Sequence, residues 1–166
     1  MLAKPLSLIL TALLMPVFAT GAARADRADA QAGATIAQPI MIMAWEEMLF
    51  GRIAPSAVTG GSVVIDTGGA RSCSTALTCL SGTYRAAKFS VTGEADALYT
   101  ITLPDTITLT NGQGASLEVD SLTTPLFTRQ LSEGYDEFMI GGELEVAANQ
   151  PVGTYIGTYI VTVDYA

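Results

Sequence analysis

From residue 62 to the C-terminus the chain never sustains a helical period; it runs in short stretches of alternating Thr, Val, Ile, Tyr and Phe. Period-two alternation puts successive side chains on opposite faces of an extended backbone, so each stretch reads as a half-buried strand. The clearest cover residues 62–66, 88–91, 98–103, 106–109, 116–119, 138–146 and 154–163. Thr67-Gly68-Gly69, Thr92-Gly93, Pro104-Asp105, Asn111-Gly112 and Asn149-Gln150-Pro151 punctuate them with the residue types that tight reversals need. Strands at this spacing, without helices between them, predict an all-β domain: a Greek-key β-sandwich of about seven to nine strands, with a closed barrel as the alternative. Residues 41–49 read two ways. Trp45-Glu46-Glu47-Met48 suits a short helix, whereas Ile40, Ile42 and Ala44 alternate as a strand does; the strand reading is preferred, with Glu46-Glu47 as a bulge or turn.

The first residues carry the three parts of a secretory signal peptide: Lys4, an apolar run over residues 6–18, and Ala23-Arg24-Ala25 as a small-x-small cleavage site. The run is short for a bilayer span, and no second stretch of ~20 apolar residues follows, which predicts export and release without direct membrane binding. The expected layout is a signal peptide over 1–25, an N-terminal extension over 26–36 and one sandwich domain over 37–166. Cleavage after Ala25 removes Lys4 and Arg24 but no acid, leaving six cations against 16 acids, a net charge of about −10. Nucleic acid and anionic lipid are poor partners for such a surface, since both are bound by neutralising phosphate charge. A domain of this length buries roughly two-thirds of its unfolded surface and needs no metal to fold.

Cys73 and Cys79 are the chain's two cysteines. An oxidising compartment joins such a neighbouring pair, and closing a seven-residue loop contributes roughly 2.4 kcal/mol by chain entropy. A structural disulfide is expected; a redox centre is not, because the spacing is not Cys-x-x-Cys and no His or Lys flanks either thiol.

There is no histidine. That removes the commonest general base, the usual partner of a Ser or Cys nucleophile and the commonest transition-metal ligand, so the chain is read as non-enzymatic, with no catalytic residue, metal or cofactor. Carboxylates cluster at Glu46-Glu47, Asp136-Glu137 and Glu143/Glu145. Neighbours in a strand point to opposite faces, and Glu143 with Glu145 read as solvent-facing. The loop Glu133-Gly134-Tyr135-Asp136-Glu137 lacks the regular spacing of a calcium loop. Trp45 and the tyrosines are read mostly as core residues, with a sugar-binding platform as the other use of such side chains.

The two ends carry the candidate assembly elements. Over residues 26–36, Ala28, Ala30, Ala32, Ala34 and Ile36 alternate with Arg27, Asp29, Gln31, Gly33 and Thr35. This is an extended segment able to add to another sheet, or else a tail or simple first strand. At the C-terminus, Gly153, Tyr155, Gly157, Tyr159, Val161, Val163 and Tyr165 share one face of the expected last strand, opposite Thr154, Ile156, Thr158, Ile160, Thr162 and Asp164.

A glycine fourteen residues from the end, leading an alternating strand to a penultimate tyrosine, resembles the C-terminal motif of pilins assembled by the chaperone–usher pathway. Gly153 and Tyr165 hold those two places, with Tyr155, Tyr159, Val161 and Val163 between them. Leu49-Phe50-Gly51, then Tyr99-Thr-Ile-Thr-Leu-Pro104 with Leu109-Thr110-Asn111-Gly112, then Ile140-Gly141-Gly142-Glu-Leu144, and finally Gly153-x-Tyr155-x-Gly157 resemble the secreted pilin-like family catalogued as domain of unknown function 4402. The resemblance implies an immunoglobulin-like, pilin-like sandwich that passes through the periplasm to the cell surface or beyond. It also implies β-augmentation, in which a periplasmic chaperone and then other copies or related subunits pair with the terminal strand. The alternative from another class is a monomeric secreted binding module of adhesin type, such as a sugar-recognising domain using Trp45 and surface tyrosines.

Overall fold

Twelve strands and no helix form among residues 26–166, the part of the chain that the computed structural model describes. They are β1 (Met41–Glu46), β2 (Ile53–Ala54), β3 (Gly61–Ile65), β4 (Arg71–Cys73), β5 (Thr78–Cys79), β6 (Ala87–Thr92), β7 (Leu98–Thr102), β8 (Ile107–Thr110), β9 (Ser116–Thr123), β10 (Thr128–Gln130), β11 (Tyr135–Val146) and β12 (Thr162–Tyr165). The signal-peptide expectation falls on residues 1–25 and lies outside the described residues. Residues 26–35 are exposed and form no ladder.

Every ladder is antiparallel, and the twelve-residue β11 is the spine of the larger sheet. Its first half pairs with β6, from Tyr135–Thr92 to Ile140–Ala87, and its second half pairs with both β3 and β9. Seven strands join in this way: β1, β6, β11, β3 and β4 in order, with β9 and β8 attached through β11. The second sheet is β10-β7-β12, and β2 with β5 forms a small separate ribbon.

Alternation makes the core. Phe89 and Val91 of β6 and Phe138 and Ile140 of β11 point inward from one sheet, and Tyr99 and Ile101 of β7 with Val163 of β12 meet them from the other. Two facing sheets sharing one interior make this a sandwich. Phe89 and Phe138 are direct cross-strand partners, and their rings stack at 5.5 Å. Each such side chain, fully buried, stabilises the fold by roughly 1.5–3 kcal/mol. A second cluster, including Val63, Ile65, Ile107, Val119, Leu144 and Val146, fills the other end between β3, β8, β9 and β11.

The turn residues act as their chemistry dictates. After β3, the Asp66 carboxylate accepts hydrogen bonds from the Gly68 and Ala70 N–H groups, and Gly69 takes φ +81°. Between β8 and β9, Asn111 Oδ1 accepts from Gln113 and Ala115, with Gly112 at φ +73°.

Two sequence expectations need correction. The count exceeds nine because β2, β4, β5 and β10 are only two or three residues long, too short for alternation to register. The expected strand over 154–163 is a ladder only from Thr162 onward. Here the chain crosses between sheets. A single bridge joins Ile156 to Thr110 of β8 in the large sheet, and β12 then pairs with β7 in the small one. Between those contacts the neighbouring chain turns through Leu103-Pro104-Asp105, where proline offers no N–H and the strand ends.

Candidate functional site

Strand edges are the distinctive feature of the surface. β1 pairs only with β6 and β12 only with β7, so each is the outer strand of its sheet. The two edges come together at the chain's end. The Tyr165 hydroxyl donates to the Gln38 carbonyl (2.7 Å) and accepts from the Glu94 N–H (2.6 Å), while Gln38 N–H donates to the Glu94 carboxylate (2.8 Å). Gly93 leaves room for this ring of contacts, because a Cβ there would collide with the Tyr165 hydroxyl.

Beside that junction runs the crossing segment. Tyr155, Gly157, Tyr159 and Val161 are half-buried and Val163 is buried, whereas Ile156 and Ile160 are 69% and 80% exposed. The alternation is therefore real even where no ladder forms. Tyr159 packs edge-on against Phe89 (6.4 Å between rings), and burial pushes its hydroxyl up to about 12. Gly157 lies so close to β8 that a Cβ would strike the Thr108 carbonyl. Gly153 is exposed at the segment's start, and a Cβ there would touch Asn111. Among the described residues, the backbone N–H and C=O groups of residues 157–161 make no hydrogen bond with other backbone groups.

At the other end of the chain, Ala28, Ala30, Ala32 and Ala34 are exposed along residues 26–35, and Ile36 is 96% exposed where the domain begins. Cys73 and Cys79 are joined, with Cα atoms 6.3 Å apart, and the bond fastens β4 to the β2–β5 ribbon.

The acidic clusters divide. Asp136 is engaged by Arg129 Nε at 2.6 Å and Nη2 at 3.0 Å, and Glu137 by Lys88 at 2.7 Å; Glu46 lies 3.4 Å from Arg85. Glu143 and Glu145 share a face, as expected. Sequence spacing missed Asp120, which β9 places directly opposite Glu143; one carboxylate oxygen from each of the three lies within 4.8 Å of the others. Burial and the two neighbouring carboxylates push Glu145 up.

The reading of Trp45 and most tyrosines as core residues is corrected. Only Tyr99 is fully buried; Trp45 is 63% exposed, and Tyr84, Tyr135 and Tyr165 are also exposed. Alternation along β1 points Ile42 and Ala44 inward and Met41, Met43 and Trp45 outward, so the indole lies on the outer face, where its N–H donates to Ser90 Oγ at 2.7 Å; the bulge falls between Ala44 and Glu46, one residue before the expected place.

Fold and surface together define a disulfide-linked, all-β sandwich whose notable features are open strand edges. No helix among the described residues is long and apolar enough to cross a membrane. The family model described as "Domain of unknown function (DUF4402)" matches residues 40–165, and the chain belongs to that family. Neither a curated protein nor a solved structure matches.

Proposed function

We propose that the chain is an exported, non-enzymatic structural protein of the bacterial cell surface, a fimbria-like or surface-matrix subunit that assembles by strand pairing. The observation that carries the reading is the crossing segment. Five consecutive residues, 157–161, alternate between half-buried and exposed while their backbone groups lack backbone partners, next to the outer strand of the small sheet. Unpaired strand backbone is a template for another strand, with backbone bonds giving affinity and alternate side chains giving register. The incoming strand is the extension of a second copy or a related subunit, with Ala28, Ala30, Ala32, Ala34 and Ile36 on its inward face. Before assembly a periplasmic chaperone covers the same edge. The missing histidine and the pairing of Asp136, Glu137 and Glu46 with cations agree with a role that needs no reaction centre.

The test compares residues 26–166 with residues 37–166 by size-exclusion chromatography and negative-stain microscopy. Oligomers or fibres are expected from the longer protein alone. Folded, equally soluble monomers from both would end the donor-strand reading.

A further inference from the structure

We infer that the outer face of β1, β6 and β11 is a carbohydrate-binding platform centred on Trp45, taking an uncharged, hydroxyl-rich ring such as a pyranose. This goes beyond strand assembly: it uses the face of β1, not its edge.

The register builds the platform. Phe89, Val91, Phe138 and Ile140 point into the core, so Lys88, Ser90 and Thr92 of β6 and Tyr135, Glu137 and Met139 of β11 point out. β1 adds Met41 opposite Thr92 and Met43 opposite Ser90, both more than half exposed. Trp45 lies over Ser90, which is only 6% exposed, and the hydrogen bond to Ser90 fixes the indole in one orientation. An aromatic ring held in place offers apolar area at little entropic cost.

The polar neighbours select the ligand class. Glu137 accepts from Lys88 Nζ (2.7 Å) and from the Tyr135 hydroxyl (2.6 Å), and Glu46 sits beside Arg85 (3.4 Å). In a chain of strongly negative charge, this face is locally balanced, so it calls for neither a cation nor an anion. The same face carries the exposed indole and, on β6 and β11, an ammonium, a carboxylate and a phenol, donors and acceptors suited to sugar hydroxyls. A sugar ring has the complementary form, with C–H groups on its face and hydroxyls at its rim. A pocketless face of this kind binds weakly, on the order of 1 mM.

Trp45 is the chain's single tryptophan, so its emission reports on this site alone. The experiment titrates residues 37–166 with gluco-, manno-, galacto- and N-acetylglucosamine oligosaccharides up to tens of millimolar, and follows retention of variants on the immobilised sugar that responds. A saturable emission change with at least one sugar is expected. Trp45→Ala should abolish retention, Trp45→Phe should keep part of it, and Glu137→Gln should weaken it about five-fold. Circular dichroism checks that each variant is folded. No emission change with any sugar, or equal retention of Trp45→Ala, overturns the inference. An emission change that follows protein concentration alone, with dimers in sedimentation, overturns it too by assigning the face to a second copy. None of these outcomes bears on the strand-donation test, because residues 26–36 are absent from the protein titrated.

Discussion

Asp136 ties the two sheets together. It stands in β11 of the larger sheet, accepts the Tyr99 hydroxyl of β7 at 2.9 Å and receives the paired Arg129 contacts from β10, so both partners belong to the smaller sheet. Burial pushes its carboxyl up, yet the hydrogen bonds from Arg129, Tyr99 and the Glu137 N–H outweigh that and hold it below the ordinary carboxylate value. The fold therefore favours the ionised form. Its contribution is fully present above the unfolded carboxyl value of about 3.9 and is lost as pH falls through the lower folded value. Asp136→Asn leaves a mostly buried guanidinium unpaired and should cost about 2–4 kcal/mol at neutral pH. Urea midpoints measured between about pH 5 and pH 2 should show the gap from wild type closing as acid protonates the native carboxylate. Tyr165→Phe removes a hydroxyl with two backbone partners and should cost about 1 kcal/mol, read in the same way. Faster amide exchange at Glu94 would locate the loss.

Strands of four or more residues were legible because alternation records burial directly; Phe89, Val91, Phe138 and Ile140 occupy the inward positions that the pattern assigns. The segment 154–161 separates alternation from pairing. Its alternation was read correctly and its pairing was not, because side-chain parity reports which face is buried and says nothing about whether a neighbour supplies hydrogen bonds. The neighbour was withdrawn by Pro104, fifty residues earlier in the sequence than Thr154. Trp45 departs from expectation for a different reason: it shares the outward parity of Met41 and Met43, so alternation itself exposes it, and a core place for it rests on the size of the ring rather than on its position. Gly157→Ala should drive the crossing segment off β8 and cost about 1–3 kcal/mol in urea unfolding, because the Thr108 carbonyl cannot yield cheaply. Breaking the Cys73–Cys79 bond by serine replacement should cost about 2 kcal/mol in the same assay.

At the scale of the molecule, the sandwich and its disulfide follow from pattern and spacing, and so does the choice of the terminal segment as an assembly element; that residues 157–161 lack backbone partners does not, since it arises only where distant segments fail to meet. The strong net negative charge makes subunits repel one another at neutral pH. Any assembly by residues 26–166 should therefore strengthen with added salt, as screening shortens that repulsion, and light scattering at low and at 0.5 M ionic strength would check it. The crossing segment has one more consequence, and it concerns time. The smaller sheet lacks one of its three strands until Thr162–Tyr165 have been made, about sixty residues after the β7 residues they pair with. Until then Tyr99 and Ile101 await the side chain of Val163, so a fragment ending before Thr162 leaves this interior open. A chain cut short of β12 therefore keeps one side of its core uncovered, and folding of this interior waits on a contact between strands far apart in the sequence.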